Sequence, residues 1–156
     1  MKLSTRGRYG VRAMVDLAGR DGNRPVSLKD IAARQGVSVD YLEQLLRRLR
    51  KAGLVRSVRG PRGGFVLGRG ASEINLWDVI SAVEQDVTPV FCVNAEILGH
   101  PVRKTCDRAA NCPTRPVWIG LAQQVRTYLE SQTLQLILEN SRKLGSVDGA
   151  PEAYCI

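Results

Sequence analysis

The sequence has one histidine, 5% aromatic residues, and no apolar run near the roughly 18 residues that cross a bilayer. Its opening, MKLSTRGRYG, also lacks the continuous apolar stretch of a secretory signal, so a cytoplasmic chain with no membrane role is expected. With a single histidine, no paired nucleophile and base, and no phosphate-cradling motif, an enzyme is the least favoured class. Internal repeats and low-complexity tracts are absent. Acidic residues are in deficit: 23 Lys+Arg stand against 15 Asp+Glu, a formal net charge of +8.

The imbalance lies at one end of the chain. Residues 1–70 carry 16 Lys+Arg against 5 Asp+Glu, whereas residues 71–156 carry 7 against 10. A half so basic attracts polyanions and releases counterions as it neutralises phosphates, so nucleic acid leads over a merely solubilising surface. A chain of 156 residues with 44% hydrophobic content suits one compact domain, or a small domain with an oligomerisation element.

Local patterns organise the basic half. Tyr9, Ala13, Met14, Leu17 and Ala18 recur at helical spacing, with Gly22-Asn23 as the stop. Ser27 caps a short second helix that has Asp30 three residues on, Ile31 and Ala32 facing inward, and Gly36 at its end. A third helix follows almost at once, capped by Ser38, striped by Leu42, Leu45, Leu46 and Leu49, and ended by Gly53. Helix, glycine turn, helix is the spacing of a helix-turn-helix, whose second helix enters a major groove. Off the leucine stripe stand Tyr41, Glu43, Gln44, Arg47, Arg48 and Arg50, a set suited to base edges and phosphates, and equally to an ordinary charged surface. The next segment decides between these. GLVRSVRGPRGGFVLGR holds two short β-prone runs, 54–58 and 65–67, around a turn where Arg59 and Arg62 meet Gly60, Gly63 and Gly64. Such a basic wing lays its tip along the minor groove.

Asn75 caps a fourth helix that buries Trp77, Ile80 and Val83. From Pro116 a long helix carries a broad apolar stripe of Val117, Trp118, Leu121, Ala122, Val125, Tyr128 and Leu129. One small domain cannot cover all of it; a second copy across a twofold axis would, and would present two helix-turn-helix units to a palindromic site. Thr133 caps a last short helix, 134–140, before a polar tail. The fold class is therefore mainly α: a winged helix-turn-helix over 1–84, a cysteine-containing loop over 85–115, a dimerisation helix and short follower over 116–140, and a tail over 141–156.

The segments MKLSTRGRYGVRAM, YLEQLLRRLRKAGLVRSVRGPRGGFVLGR and VISAVE, with cysteines ahead of a Trp on a long helix, resemble the IscR-like superfamily of dimeric winged-helix regulators. The resemblance covers roughly residues 1 to 140 and implies a homodimer on double-stranded DNA. It implies contacts from Ser38, Tyr41, Glu43, Gln44, Arg59 and Gly60, positions that coincide with the surface read above and adjoin Arg48, Arg50 and Arg62. At Glu43 it implies a role in discriminating sites, since a carboxylate facing no cytosine amine is desolvated and repelled by the duplex.

Three of the four cysteines and the only histidine lie between Cys92 and Arg115. The resemblance implies an iron-sulfur cluster, [2Fe-2S] in type, on Cys92, Cys106 and Cys112. Those members space their ligands C-x5-C-x5-C and then C-x2-H; this chain reads C-x13-C-x5-C and then C-x2-R. Arg115 is permanently charged and is no neutral donor to iron, so the fourth ligand falls to His100 or to the other subunit; Cys155, near the chain's end, is a poor candidate. Thiolates alone suit a cluster and zinc alike, and free thiols or a thiol-disulfide switch remain open. The alternative function is a cluster-free regulator or protein-interaction module of the CymR type, controlled by a metabolic enzyme or by thiol oxidation.

Overall fold

The computed structural model describes residues 4–20, 24–84, 87–99 and 106–143. Helix α1 (Thr5–Ala18) starts at Ser4, whose side chain accepts the Arg6 amide, and buries Gly7, Gly10, Ala13, Met14 and Leu17 along one face. It stops at Ala18, with the Gly19 amide on the Val15 carbonyl at 2.9 Å; the Gly22-Asn23 stop lies outside the described residues. Helices α2 (Leu28–Gln35) and α3 (Val39–Lys51) start at the expected serines, the Ser27 and Ser38 hydroxyls accepting the Asp30 and Tyr41 amides at 3.1 and 3.3 Å. Between them Gly36 takes φ +65°, a left-handed turn that favours glycine and lets α3 begin three residues later. The four leucines of α3 are fully buried, each contributing about 1.5–3 kcal/mol of burial.

Strands β1 (Val55–Val58) and β2 (Gly64–Leu67) form the wing, antiparallel with Val55 opposite Leu67 and Val58 opposite Gly64. Phe65 of β2 also exchanges backbone bonds with Val26 at 2.8 and 2.9 Å, which ties the wing to the link before α2. That pairing requires Gly64, because a Cβ there would stand 2.2 Å from the Val26 carbonyl oxygen.

Helix α4 (Leu76–Val83) is capped by Asn75, whose Oδ1 accepts the Asp78 amide at 2.8 Å, and Trp77, Ile80 and Val83 are buried as expected. It is the wall between two apolar clusters. Val79 and Val83 join the core of α1, α2, α3 and the wing; Trp77 and Ile80 join a second cluster with Val87, Val93, Ile97 and Ala122.

The stretch expected as a loop is partly helical. A 3-10 turn over Phe91–Val93 leads into α5 (Asn94–Leu98), and a second such turn spans Ala109–Asn111. Val93 and Ile97, one helical turn apart, bury into the second cluster, and this organises the segment. Helix α6 (Arg115–Ser131) starts one residue ahead of Pro116, and α7 (Leu134–Lys143) starts beside Thr133, whose hydroxyl accepts the Leu136 amide at 3.2 Å. Helix α7 runs to Lys143, three residues into the stretch read as tail, and its Leu134 is buried in the first cluster. Residues 144–156, with Cys155, lie outside the described residues. Among the described residues no helix is long and apolar enough to cross a membrane.

Candidate nucleic-acid interface

The outer face of α3 presents Ser38, Glu43, Gln44, Arg47 and Arg50 to solvent beside the wing. Glu43 and Arg47 pair across one turn at 3.4 Å with both side chains more than half exposed, a contact weak enough to open for a ligand. The two other arginines also have partners within the chain. Arg48 donates Nη1 to the Val83 carbonyl at 3.1 Å, tying α3 to the end of α4, and Arg50 donates Nη1 to Ser57 Oγ at 3.4 Å, tying it to β1. Both hold α3 against its neighbours.

Tyr41 departs from the solvent-facing position expected of it. Its ring stands edge-on to Tyr9, with centroids 6.1 Å apart, and its hydroxyl is buried with no hydrogen-bond partner. Position 41 falls one residue before Leu42, at the border of the buried stripe, and Tyr9 on α1 closes over it. Burial pushes the phenol above its ordinary range, and neighbouring Arg6 works in the opposite direction. At the wing tip Arg59, Gly60 and Arg62 are all exposed, with Gly60 at φ +122°, a conformation that favours glycine.

Beneath this face, Glu84 joins the end of α4 to the start of α1. Its Oε1 accepts the Ser4 amide at 3.1 Å, the Ser4 hydroxyl at 2.5 Å and the Gly7 amide at 3.1 Å. A carboxylate at a helix N-terminus offsets the local positive dipole.

The cysteines sit in the segment that follows. Cys92, in the first 3-10 turn, packs partly against the second cluster; Cys106 and Cys112 flank the second turn; all three are free and half-buried. Cys112 Sγ lies 3.3 Å from Thr114 Oγ1, and that hydrogen bond, then the Thr114 backbone amide, lowers its pKa towards the thiolate. Three thiols with no competing disulfide, one inclined to the thiolate, are a donor set whose chemistry suits an iron-sulfur cluster. Their placement is open: among the described residues no three Cys, His, Asp or Glu side chains are gathered to hold a metal. His100 lies outside the described residues. Arg115 is the first residue of α6.

The stripe of α6 divides in two. Trp118, Ala122 and Leu129 turn inward to the second cluster, whereas Val117, Leu121 and Tyr128 remain 66%, 45% and 65% exposed. Arg126, on the inner side, stacks 5.3 Å over Trp77 and donates Nη1 to the Ile97 carbonyl at 2.7 Å, fastening α5 to α4 and α6.

The winged helix and its cysteine segment match a family model throughout: residues 3–140 fit Rrf2, described as an iron-dependent transcriptional regulator. The chain belongs to the Rrf2 family. It is 42% identical to the HTH-type transcriptional regulator IscR of Pectobacterium atrosepticum over 95% of this chain and 85% of that protein. Among solved structures it is similar to T. potens IscR, with TM-score 0.72 and 38% identity over 97% of this chain and 94% of that one. CymR, the global cysteine regulator of B. subtilis, gives TM-score 0.69 and 38% identity over 90% of this chain and 98% of that one. The protein is thus an IscR-like transcriptional regulator with a DNA-binding winged helix, as its sequence implied.

For an Rrf2 protein, the residues missed from sequence are the ones that connect elements. Glu84 reads as the polar end of α4, and Arg126 as a charge on a long helix. The spacing of Val93, Ile97 and Gly99 was the available sign of α5.

Proposed function

We propose that this Rrf2-family regulator binds a palindromic operator as a homodimer, with α3 in the major groove and the wing tip along the minor groove. The supporting observation is the joint exposure of Ser38, Glu43 and Gln44 on α3 with Arg59, Gly60 and Arg62 at the wing tip, all on the basic half of the chain. Gln44 offers a bidentate amide to adenine, Glu43 an acceptor for cytosine, and Arg59 a cation for the narrow groove; Tyr41, Arg48 and Arg50 position the helix that carries them. The second copy covers Val117, Leu121 and Tyr128, which no part of the described chain buries. Such a regulator works in the cytoplasm.

The cysteine segment is the sensor in this reading. Cys92, Cys106 and Cys112 would hold the cluster, with the fourth ligand from His100 or the partner subunit. A bound [2Fe-2S] cluster would supply a centre that oxidants, nitric oxide and iron shortage destroy. The chain's own residues carry the consequence. Val93 and Ile97 anchor the segment in the second cluster, and Arg126 fixes it to α4, whose end holds α1 through Glu84 and α3 through Arg48. A second reading has its own support: no three ligands are gathered among the described residues, and the CymR likeness is strong, which favours a cluster-free regulator governed by thiol state or a protein partner. Anaerobic purification with iron and sulfide assays and a visible spectrum separates the two. The cluster reading expects a coloured, iron-bearing protein that bleaches in Cys106→Ala; a colourless protein that takes up no cluster on reconstitution overturns it.

A further inference from the structure

A groove of about 350 Å3 opens where the chain leaving the wing, α4, α5 and α6 meet, at the lower end of the ~300–1,000 Å3 typical of small-molecule sites. Its accessible wall is mostly polar, with Leu98 and the edge of the Trp77 indole as the apolar part; Leu54 lies behind it, fully buried. Two guanidiniums line it, Arg69 after the wing and Arg126 on α6, against a single carboxylate, Asp78. Arg69 Nη2 reaches Asp78 Oδ2 at 3.1 Å with its side chain 45% exposed, so this pair is screened and exchangeable. Arg126 is held more firmly: it lies 5.3 Å over Trp77, with Nε on Glu130 at 2.7 Å and Nη1 on the Ile97 carbonyl at 2.7 Å. Those bonds orient the guanidinium without using Nη2. At 3.6 residues per turn, Arg126 stands about 180° round α6 from Val117, so the groove faces away from the surface assigned to a second copy.

We propose that this groove binds a small organic carboxylate. The carboxylate takes charge-assisted hydrogen bonds from Arg126 and displaces Asp78 as the partner of Arg69, while the rest of the molecule lies against Leu98 and the edge of Trp77. The volume is too small for a folded peptide. A ligand there touches the α3–β1 link through Ala52 and the cysteine segment through Leu98 at the same time. It therefore gives the regulator a small-molecule input distinct from its cysteines.

The chain's two tryptophans make the test direct. The purified full-length protein is titrated with sodium benzoate, with benzamide as neutral counterpart and ionic strength held by sodium chloride, following tryptophan fluorescence. The expected result is a saturable change with benzoate that persists in Trp118→Phe. Benzamide should bind about tenfold more weakly, as should benzoate in Arg126→Gln, about the loss of one charge-assisted hydrogen bond. Arg69→Gln, at an exposed position, should weaken benzoate in the same direction and decides the matter if Arg126→Gln fails to fold. A non-saturable response, equal binding of benzamide, or unchanged affinity in the folded arginine variants overturns the proposal. The readout uses no DNA, so its failure and a failure of the operator reading are distinguishable.

Discussion

Removing the Glu84 carboxylate should loosen the joint between α4 and α1 by an amount that can be worked out from its contacts. One oxygen accepts three hydrogen bonds, two from Ser4 and one from the buried Gly7 amide. In Glu84→Ala the half-buried Ser4 groups rehydrate, but the Gly7 amide is left without its acceptor, at a cost of about 1–3 kcal/mol. Loss of a carboxylate near the helix N-terminus adds roughly 0.3–1 kcal/mol. The sum is about 1–4 kcal/mol, which at roughly 2–4 °C per kcal/mol for a chain of this size lowers Tm by about 3–16 °C. Glu84→Gln keeps an acceptor and loses only the charge, so it should cost about 1 kcal/mol. Urea unfolding followed by circular dichroism, at matched protein concentration, measures both. An alanine variant within about 0.5 kcal/mol of the parent, or a glutamine variant as unstable as alanine, would refute the reasoning.

Three further perturbations probe the interface and the assembly. Leu121→Asp puts a charge where the second copy is proposed to sit and, since the side chain is 45% exposed in the single chain, should yield folded monomer by sedimentation velocity; an intact dimer would count against that face. Arg59→Ala should weaken operator binding several-fold and reduce the slope of log affinity against log salt by about one, whereas parental affinity and slope would remove the wing from the interface. Tyr41→Phe tests the buried phenol. Because its folded pKa is raised, the folded state keeps the proton while the unfolded chain ionises near pH 10, so parental stability holds below that value and falls as pH rises through it. The phenylalanine variant should lose less stability between pH 8 and pH 11 and be at least as stable at neutral pH, its parent's hydroxyl having no partner; parallel pH profiles would show that Tyr41 is not desolvated.

Periodicity and caps were legible because they are local. Ser27, Ser38 and Asn75 start helices where their spacing says they should, the leucines of α3 are buried as a stripe, and the wing pairs around the glycine-rich turn. Features set by tertiary contact were not. Tyr41 sits at the edge of a stripe, and only the approach of Tyr9 from α1 buries its hydroxyl. The α6 stripe looks uniform along the chain, but α4 and α5 cover one side of it and leave Val117, Leu121 and Tyr128 exposed. Val26 pairs with Phe65 across nearly forty residues, and nothing in either neighbourhood announces it beyond the glycine at 64. The cysteine segment reads as loop because α5 is five residues long, and a single Val93–Ile97 pair is too short a periodicity to mark a helix by itself. In the helix-turn-helix, by contrast, each exposed polar residue followed directly from the position of a buried leucine.

Two copies of this chain are proposed to read one DNA site through α3 and the wing. The most direct test is to enrich a duplex from a random pool and measure binding of the enriched and scrambled duplexes by fluorescence anisotropy at about 150 mM salt, with sedimentation giving the stoichiometry. Two protomers per enriched duplex and a preference of about a thousandfold or more over the scrambled one are expected. Equal affinity for both duplexes, or one protomer per site, would contradict this reading.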